Sequence, residues 1–380
     1  MASHRCQSEL AVGRRVRGQL AGTFRACAAV RVGARRCNAL TVKLSRPTLH
    51  QLGEARTVAA LRQVFDRPAA ADGIVVGNGD DGLVWQPRTQ VVATVDSVVA
   101  GVDWLPELTP AEAIGHRAAA VNLSDLAAMG AQPRVLLVAI DAPAALPADV
   151  LVRAARRLAL TADRFGCAVH GGDYGLAEGP LRLTVTALGE VAGQALLRSS
   201  ARAGDAVWLI GAIGQAALGL SWLRSHGQLP AADHWAQPFV AAHLFPEPLV
   251  QAGLHLQQHA ARGVRIGAID VSDGLVTDAR RMARASRVGM VLEVAPPVWP
   301  QHAYDFAQQC GETAAQWCGT GGDDYALVVT TPQNFDLPSV IAGCGACVQR
   351  IGRCTVGPAG AVFATVGGEV VSGKGYVHGG

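Results

Sequence analysis

Four acidic clusters, each set beside glycine, punctuate this 380-residue chain: Gly79-Asp80-Asp81-Gly82, Gly171-Gly172-Asp173, Ile269-Asp270-Val271-Ser272-Asp273-Gly274 and Gly321-Gly322-Asp323-Asp324-Tyr325. Asp96 and Asp125 lie between them, each at or within an apolar segment. Carboxylates repel one another, so a fold that gathers them needs divalent cations, and hard oxygen donors select magnesium or manganese. Sites of that kind serve polyphosphates. A Gly-Asp-Asp taken alone is more often a solvated turn than a ligand set. Asp125 reverses that preference, because its Ala- and Leu-rich flanks imply burial and a buried carboxylate is costly unless something positive meets it.

Periodicity places the clusters on a framework. Helical spacing marks residues 54–65, and a short strand over 74–76 enters the first Gly-Asp-Asp turn. Residues 83–85 and 91–95 read as the strands of a hairpin turned at Pro87-Arg88-Thr89-Gln90. Thr109-Pro110-Ala111-Glu112 has the spacing of a capping box, opening a helix that runs to Met129 and stops at Gly130. Strands follow over 135–140, 168–170 and 181–190, with a helix over 147–165 between the first two. Past a break at residues 191–194, strands over 206–210, 266–269, 291–294 and 325–330 alternate with helices over 214–225 and 274–286, the latter with Asp278 and Arg281 facing outward. Strand-helix alternation predicts an α/β or layered α+β fold. Each acidic cluster then falls where a strand hands over to a turn or helix.

Composition narrows the class. Hydrophobic residues make up 50% and aromatics only 5%, as in an aliphatic α/β interior long enough for two domains. No apolar run reaches the roughly 20 residues that span a bilayer, so no membrane partner is expected. The first fifty residues hold ten Lys and Arg against Glu9 alone, a charge of +9. With +3 for the whole chain, residues 51–380 carry −6 and offer no broad basic surface for nucleic acid. Residues 1–50 read as a basic, disordered or misannotated extension, since no Met separates Met1 from Met129. Nine scattered cysteines suit reduced thiols and a cytoplasmic setting, and Cys344-Gly-Ala-Cys347 lacks the second ligand pair of a zinc site.

Taken in order, Gly79-Asp80-Asp81, the run Asn122-Leu-Ser-Asp-Leu-Ala-Ala-Met-Gly-Ala131, Gly171-Gly172-Asp173, Ala187-Leu188-Gly189-Glu190, Asp270-Val-Ser-Asp-Gly-Leu275, Gly321-Gly322-Asp323-Asp324-Tyr325 and Gly373-Lys374-Gly375-Tyr376 resemble bacterial thiamine-monophosphate kinases over roughly residues 54–378. The resemblance implies the two-domain fold of the aminoimidazole ribonucleotide synthetase superfamily, with an N-terminal domain over 54–190, a C-terminal domain over 196–380, and a homodimer formed through N-terminal strands. It implies transfer of the ATP γ-phosphoryl group to thiamine monophosphate, with several Mg²⁺ ions. By position it makes Asp81, Thr94, Asp96, Asp125, Asp173, Asp270 and Asp273 metal ligands, Arg198, Ser272 and Gly172 contacts to ATP, and Asp103, Asp323 and Tyr376 contacts to the acceptor.

Plainer roles compete for some of these. Asp273 suits a helix cap and Arg198 a surface ion pair. His116, His170 and His378 lack metal spacing, and Trp104 and Trp299 read as packing residues. The chain also departs from the family pattern. Thr94-Val95-Asp96 loses one hydroxyl, Asp103 replaces a histidine, Tyr174 replaces a threonine, and Val377 replaces an aspartate. Most changes fall on the acceptor side, so another ATP-dependent enzyme of the superfamily and a non-catalytic nucleotide-binding relative are the alternatives.

Overall fold

The computed structural model describes residues 46–66, 73–371 and 373; the basic extension up to Ser45, and Tyr376, Val377 and His378, lie outside the described residues. In the N-terminal half, α1 (Leu49–Leu52) and α2 (Glu54–Phe65) precede a two-stranded ribbon, β1 (Ile74–Val76) with β2 (Val84–Trp85). Next come β3 (Gln90–Val99), α3 (Ala111–Ala128), β4 (Gln132–Ala142), α4 (Ala148–Asp163), β5 (Ala168–Leu176) and β6 (Arg182–Val191). The four long strands form one sheet in the order β3-β6-β4-β5, antiparallel except for β4 with β5. That parallel pair is joined through α4, as a parallel connection requires.

The expected hairpin at Pro87 does not form. β2 pairs with β1, and β3 zips along β6 from Gln90 opposite Val191 to Val99 opposite Arg182. The reason lies far along the chain: the Arg88 N–H donates to the Glu190 carboxylate, and Arg134 holds the other oxygen of that carboxylate at 2.8 Å. The chain is thereby started on the sheet edge. β5 also runs longer than its apolar residues suggest, so Gly172 and Asp173 sit inside a strand rather than in the turn after it.

Helix α3 has almost no solvent face, with sixteen of its eighteen residues buried. Alanine favours the helical backbone, and small side chains let neighbours approach closely. At Gly115 a Cβ would stand 1.8 Å from the Ala154 carbonyl oxygen of α4, and a Cβ at Gly253 would stand 2.1 Å from the Ala127 carbonyl oxygen of α3. The capping box expected at its start is absent. Pro110 takes the N-cap position, Thr109 Oγ1 is buried without a hydrogen bond, and Glu112 pairs with both guanidinium ends of Arg153 at 2.8 Å.

The C-terminal half comprises β7 (Ala206–Ile210), α5 (Gln215–His226), α6 (Gln237–Leu244), α7 (Val250–Ala260), β8 (Gly267–Asp270), α8 (Leu275–Ser286), β9 (Gly289–Val294), α9 (Gln301–Gln309) and α10 (Ala314–Thr320). It closes with β10 (Leu327–Thr331), α11 (Leu337–Ile341), β11 (Val348–Thr355), β12 (Val362–Val366) and β13 (Glu369–Val370). Seven strands form a mixed sheet, β13-β12-β9-β11-β7-β10-β8. Strands β7, β8 and β10 are buried along their whole lengths, which explains their unbroken apolar runs.

His116 of α3 bridges the two halves, with Nε2 2.7 Å from the Pro246 carbonyl and Nδ1 3.1 Å from the Thr161 hydroxyl. Burial pushes its pKa down to about 4 from an ordinary 6.5. The unfolded chain therefore binds a proton that the folded chain refuses, and stability should fall as pH drops from 6.5 toward 4. Urea unfolding across that window should show a shallower pH dependence for His116→Phe, by up to about 1.4 kcal/mol per pH unit, even though the variant is less stable at pH 7.

Candidate active site

One cavity of about 430 Å³ collects residues from across the chain, among them Asp96, Asp103, Arg117, Asp125, His243, Asp270, Ser272, Asp273 and Asp323. Its walls are built by strand and helix periodicity. Along β3 the even positions Val92, Thr94, Asp96 and Val98 share one face, while Val91, Ala93, Val95 and Ser97 are exposed on the other. Thr94 donates its hydroxyl to Asp125 Oδ2 on α3 at 2.5 Å. One residue earlier on that helix, Ser124 donates to Asp270 Oδ2 at 2.8 Å.

The pairing of Asp125 with Asp270 dominates the electrostatics. Asp270 is buried, and burial followed by repulsion from Asp125 pushes its pKa up to about 7. Burial likewise raises the pKa of Asp125, against the opposing pull of the Thr94 hydroxyl and the charge of Arg198. Two carboxyl groups thus face one space with two hydroxyls and one guanidinium to answer them. A cation would relieve that arrangement.

The two acidic turns of the C-terminal half are stitched together. Val271 exchanges backbone hydrogen bonds with Ala326 and Tyr325, and the Asp323 N–H donates to the Ser272 carbonyl at 2.8 Å. A Cβ on Gly322 would stand 2.5 Å from the Ser272 carbonyl oxygen, which excludes any larger residue. Asp323 and Tyr325 adopt φ of 67° and 51°, left-handed values uncommon outside glycine. Asp324 turns the other way and accepts from the N–H groups of Gly214 (2.6 Å) and Ala216 (3.1 Å), closing the N-terminus of α5.

Asp278 corrects the sequence reading. Instead of facing outward it is 1% exposed and accepts from the backbone N–H groups of Ser272 and Asp273 at 3.1 and 3.0 Å, and from Arg281 at 2.6 Å. Burial pushes its pKa up to about 6. Arg281 also pairs with Asp273, whose side chain makes no cap to α8. The motif's turn is therefore held from behind by a helix residue, a role that outward spacing could not reveal.

Not every anticipated residue joins the cavity. Asp81 is exposed on its turn, Asp173 is exposed in β5 opposite Ala139, and Gly172 packs where a Cβ would lie 2.0 Å from the Val138 carbonyl oxygen. Arg198 reaches Asp125 through its charge without lining the space. Among the described residues, no three His, Cys, Asp or Glu side chains are already drawn into a metal-ligating group. Sequence reasoning missed Arg117 and His243. Arg117, a cation inside the apolar run of α3, carried the same signal that singled out Asp125.

Comparison with known proteins adds the family. The sequence matches the AIR synthase related protein N-terminal domain over residues 79–191 and the AIR synthase related protein C-terminal domain over residues 202–365. It is 33% identical to the thiamine-monophosphate kinase of Rhodopirellula baltica over 321 residues, covering 80% of this chain and 92% of that one. The crystal structure of thiamine-monophosphate kinase from Stenotrophomonas maltophilia superposes with a TM-score of 0.66 at 34% identity, covering 83% and 96% of the two chains. AaThiL complexed with AMPPCP and TMP shares the fold at 24% identity and a TM-score of 0.65, covering 90% and 100%.

Removing the support behind the Ser272–Asp273 turn should be costly. Asp278→Ala is expected to lower stability by about 2–4 kcal/mol in denaturant unfolding, because two buried N–H donors and a guanidinium lose their acceptor together. A loss near zero would show that the turn does not depend on it.

Proposed function

The chain belongs to the thiamine-monophosphate kinase family, and we propose that its acidic cavity transfers the γ-phosphoryl group of ATP to the phosphate of thiamine monophosphate, giving thiamine diphosphate and ADP. The observation that carries this reading is the meeting of Asp125 and Asp270, 145 positions apart in the chain, across one space with Thr94 and Ser124 donating to them. An anionic acceptor must approach an anionic donor, so the work is charge neutralisation and in-line positioning rather than covalent chemistry. No protein base is needed, since a phosphate oxygen of the acceptor is already ionised at pH 7.

The donor set suits Mg²⁺, being hard carboxylate and hydroxyl oxygens that mutual repulsion leaves short of positive charge. Asp96, Asp125, Asp270 and Asp273, with the Thr94 hydroxyl, would hold the ions nearest the cavity, and Asp81 and Asp173 further ions. Bound Mg²⁺ would supply charge neutralisation to the phosphates. Arg198, Ser272 and Gly172 meet ATP. Asp103, Asp323 and Tyr376 serve the acceptor. The two synthetase-like domains span 54–190 and 196–380 in a cytoplasmic enzyme.

A homodimer fits the exposed sheet face. Val91 and Val95 are 44% and 60% exposed on the same face of β3, with Ala93 between them, and a second copy would cover them. Light scattering should give twice the chain mass, with Val95→Lys shifting the protein toward monomer. A wild-type monomer at micromolar concentration would reject the dimer.

The activity is tested by coupled assay with ATP, Mg²⁺ and thiamine monophosphate. Turnover is expected in the wild type and should fall roughly a hundredfold or more in Asp125→Asn. Folding should persist in that variant, because the amide keeps the Thr94 contact and removes repulsion on Asp270. ATP binding without turnover in the wild type would instead favour a non-catalytic relative.

A further inference from the structure

Arg117 is 3% exposed within α3, yet its guanidinium reaches the cavity wall. Nη2 donates to Asp323 Oδ2 at 3.0 Å and to the His243 carbonyl at 3.2 Å, with His243 Nδ1 also at 3.2 Å. His243 brings no charge of its own, since burial pushes its pKa down to about 3. The other oxygen of the Asp323 carboxylate accepts from the Tyr325 hydroxyl at 3.1 Å. Asp323 is thus gripped at both oxygens and at its backbone N–H, in a left-handed conformation, while its side chain stays 34% open to the cavity. Asp103, which accepts from the Val99 N–H at 2.7 Å, adds a second carboxylate within the field of Arg117.

We propose that Arg117 is the positioning residue of the acceptor end: a buried guanidinium that aims the Asp323 carboxylate at the cationic part of the acceptor and neutralises one of two facing acids. Asp323, fixed in place and still open to the cavity, presents an anion there, with Arg224 of α5 a further cation lining the same space. Such a site suits an acceptor whose own ring is cationic, and it rejects a neutral analogue of equal shape. The inference rests on the kinase reading above and deepens it. Arg117 touches no substrate in this account; it acts through Asp323.

Lysine keeps the charge but carries it on a flexible stem, without the rigid planar group that sets Nη2 between Asp323 and the His243 carbonyl. Arg117→Lys is therefore expected to raise the KM for thiamine monophosphate roughly ten- to a hundredfold. The KM for ATP should stay within about twofold. Asp323→Asn should act in the same direction, and the double variant should be little worse than either single one. If Arg117→Lys does not fold, Tyr325→Phe removes the grip on the other oxygen and should raise the same KM while leaving that for ATP alone. Unchanged acceptor KM in both variants, equal shifts in both KM values, or full additivity in the double variant would each overturn the assignment. A wild type that fails to phosphorylate thiamine monophosphate strikes the kinase reading instead. Wild-type turnover with an unaltered Arg117→Lys strikes this inference alone.

Discussion

Everything at the site hangs on a helix that has almost nowhere to meet water. Buried on nearly all sides, α3 satisfies most of its polar side chains through partners on other elements, Asn122 being the exception that donates to the Ala118 carbonyl of its own helix. His116 answers to Pro246, Arg117 to Asp323 and His243, Ser124 to Asp270, and Asp125 to Thr94. These obligations index β3, α6, β8 and the 321–325 segment to one rod. The cavity is where several of those obligations converge.

The C-terminal half supplies the opposing wall by a different means. Its acidic turns leave the ends of β8 and the start of β10, neighbouring antiparallel strands, so the ladder brings Asp270 opposite Leu327 and the turns adjacent. Backbone bonds between Val271 and Ala326 then extend the pairing past the strands. Asp278 anchors the first turn from α8, and Gly322 permits the close approach of the second. The carboxylates are held by scaffolding that carries none of the chemistry.

Much of this was legible in the residues. The apolar surroundings of Asp125 announced a half-buried acid on a buried helix, and glycine beside each acidic cluster marked the turns at Asp270 and Asp323. Where the reading failed, long-range partners decided the outcome. Glu190 captures the Arg88 N–H and turns an expected hairpin into a sheet edge. The cap alone failed for a local reason, Pro110 taking the position expected of Thr109. Asp278 looks like a solvated acid by spacing alone, because the N–H groups that need it belong to a turn whose shape periodicity does not encode. Asp81 and Asp173 share the composition of the other clusters but not their burial, a distinction that requires knowing which sheet face is covered.

Consecutive acids at 323 and 324 diverge, one toward the cavity and the other onto the first N–H groups of α5. That helix contributes Ser221 and Arg224 to the same cavity. A displacement of a single peptide unit there would therefore register twice, once in the aim of a carboxylate and once in the seating of a whole helix. The segment behaves as a shared fulcrum, and neither neighbour can drift in evolution without the other being renegotiated.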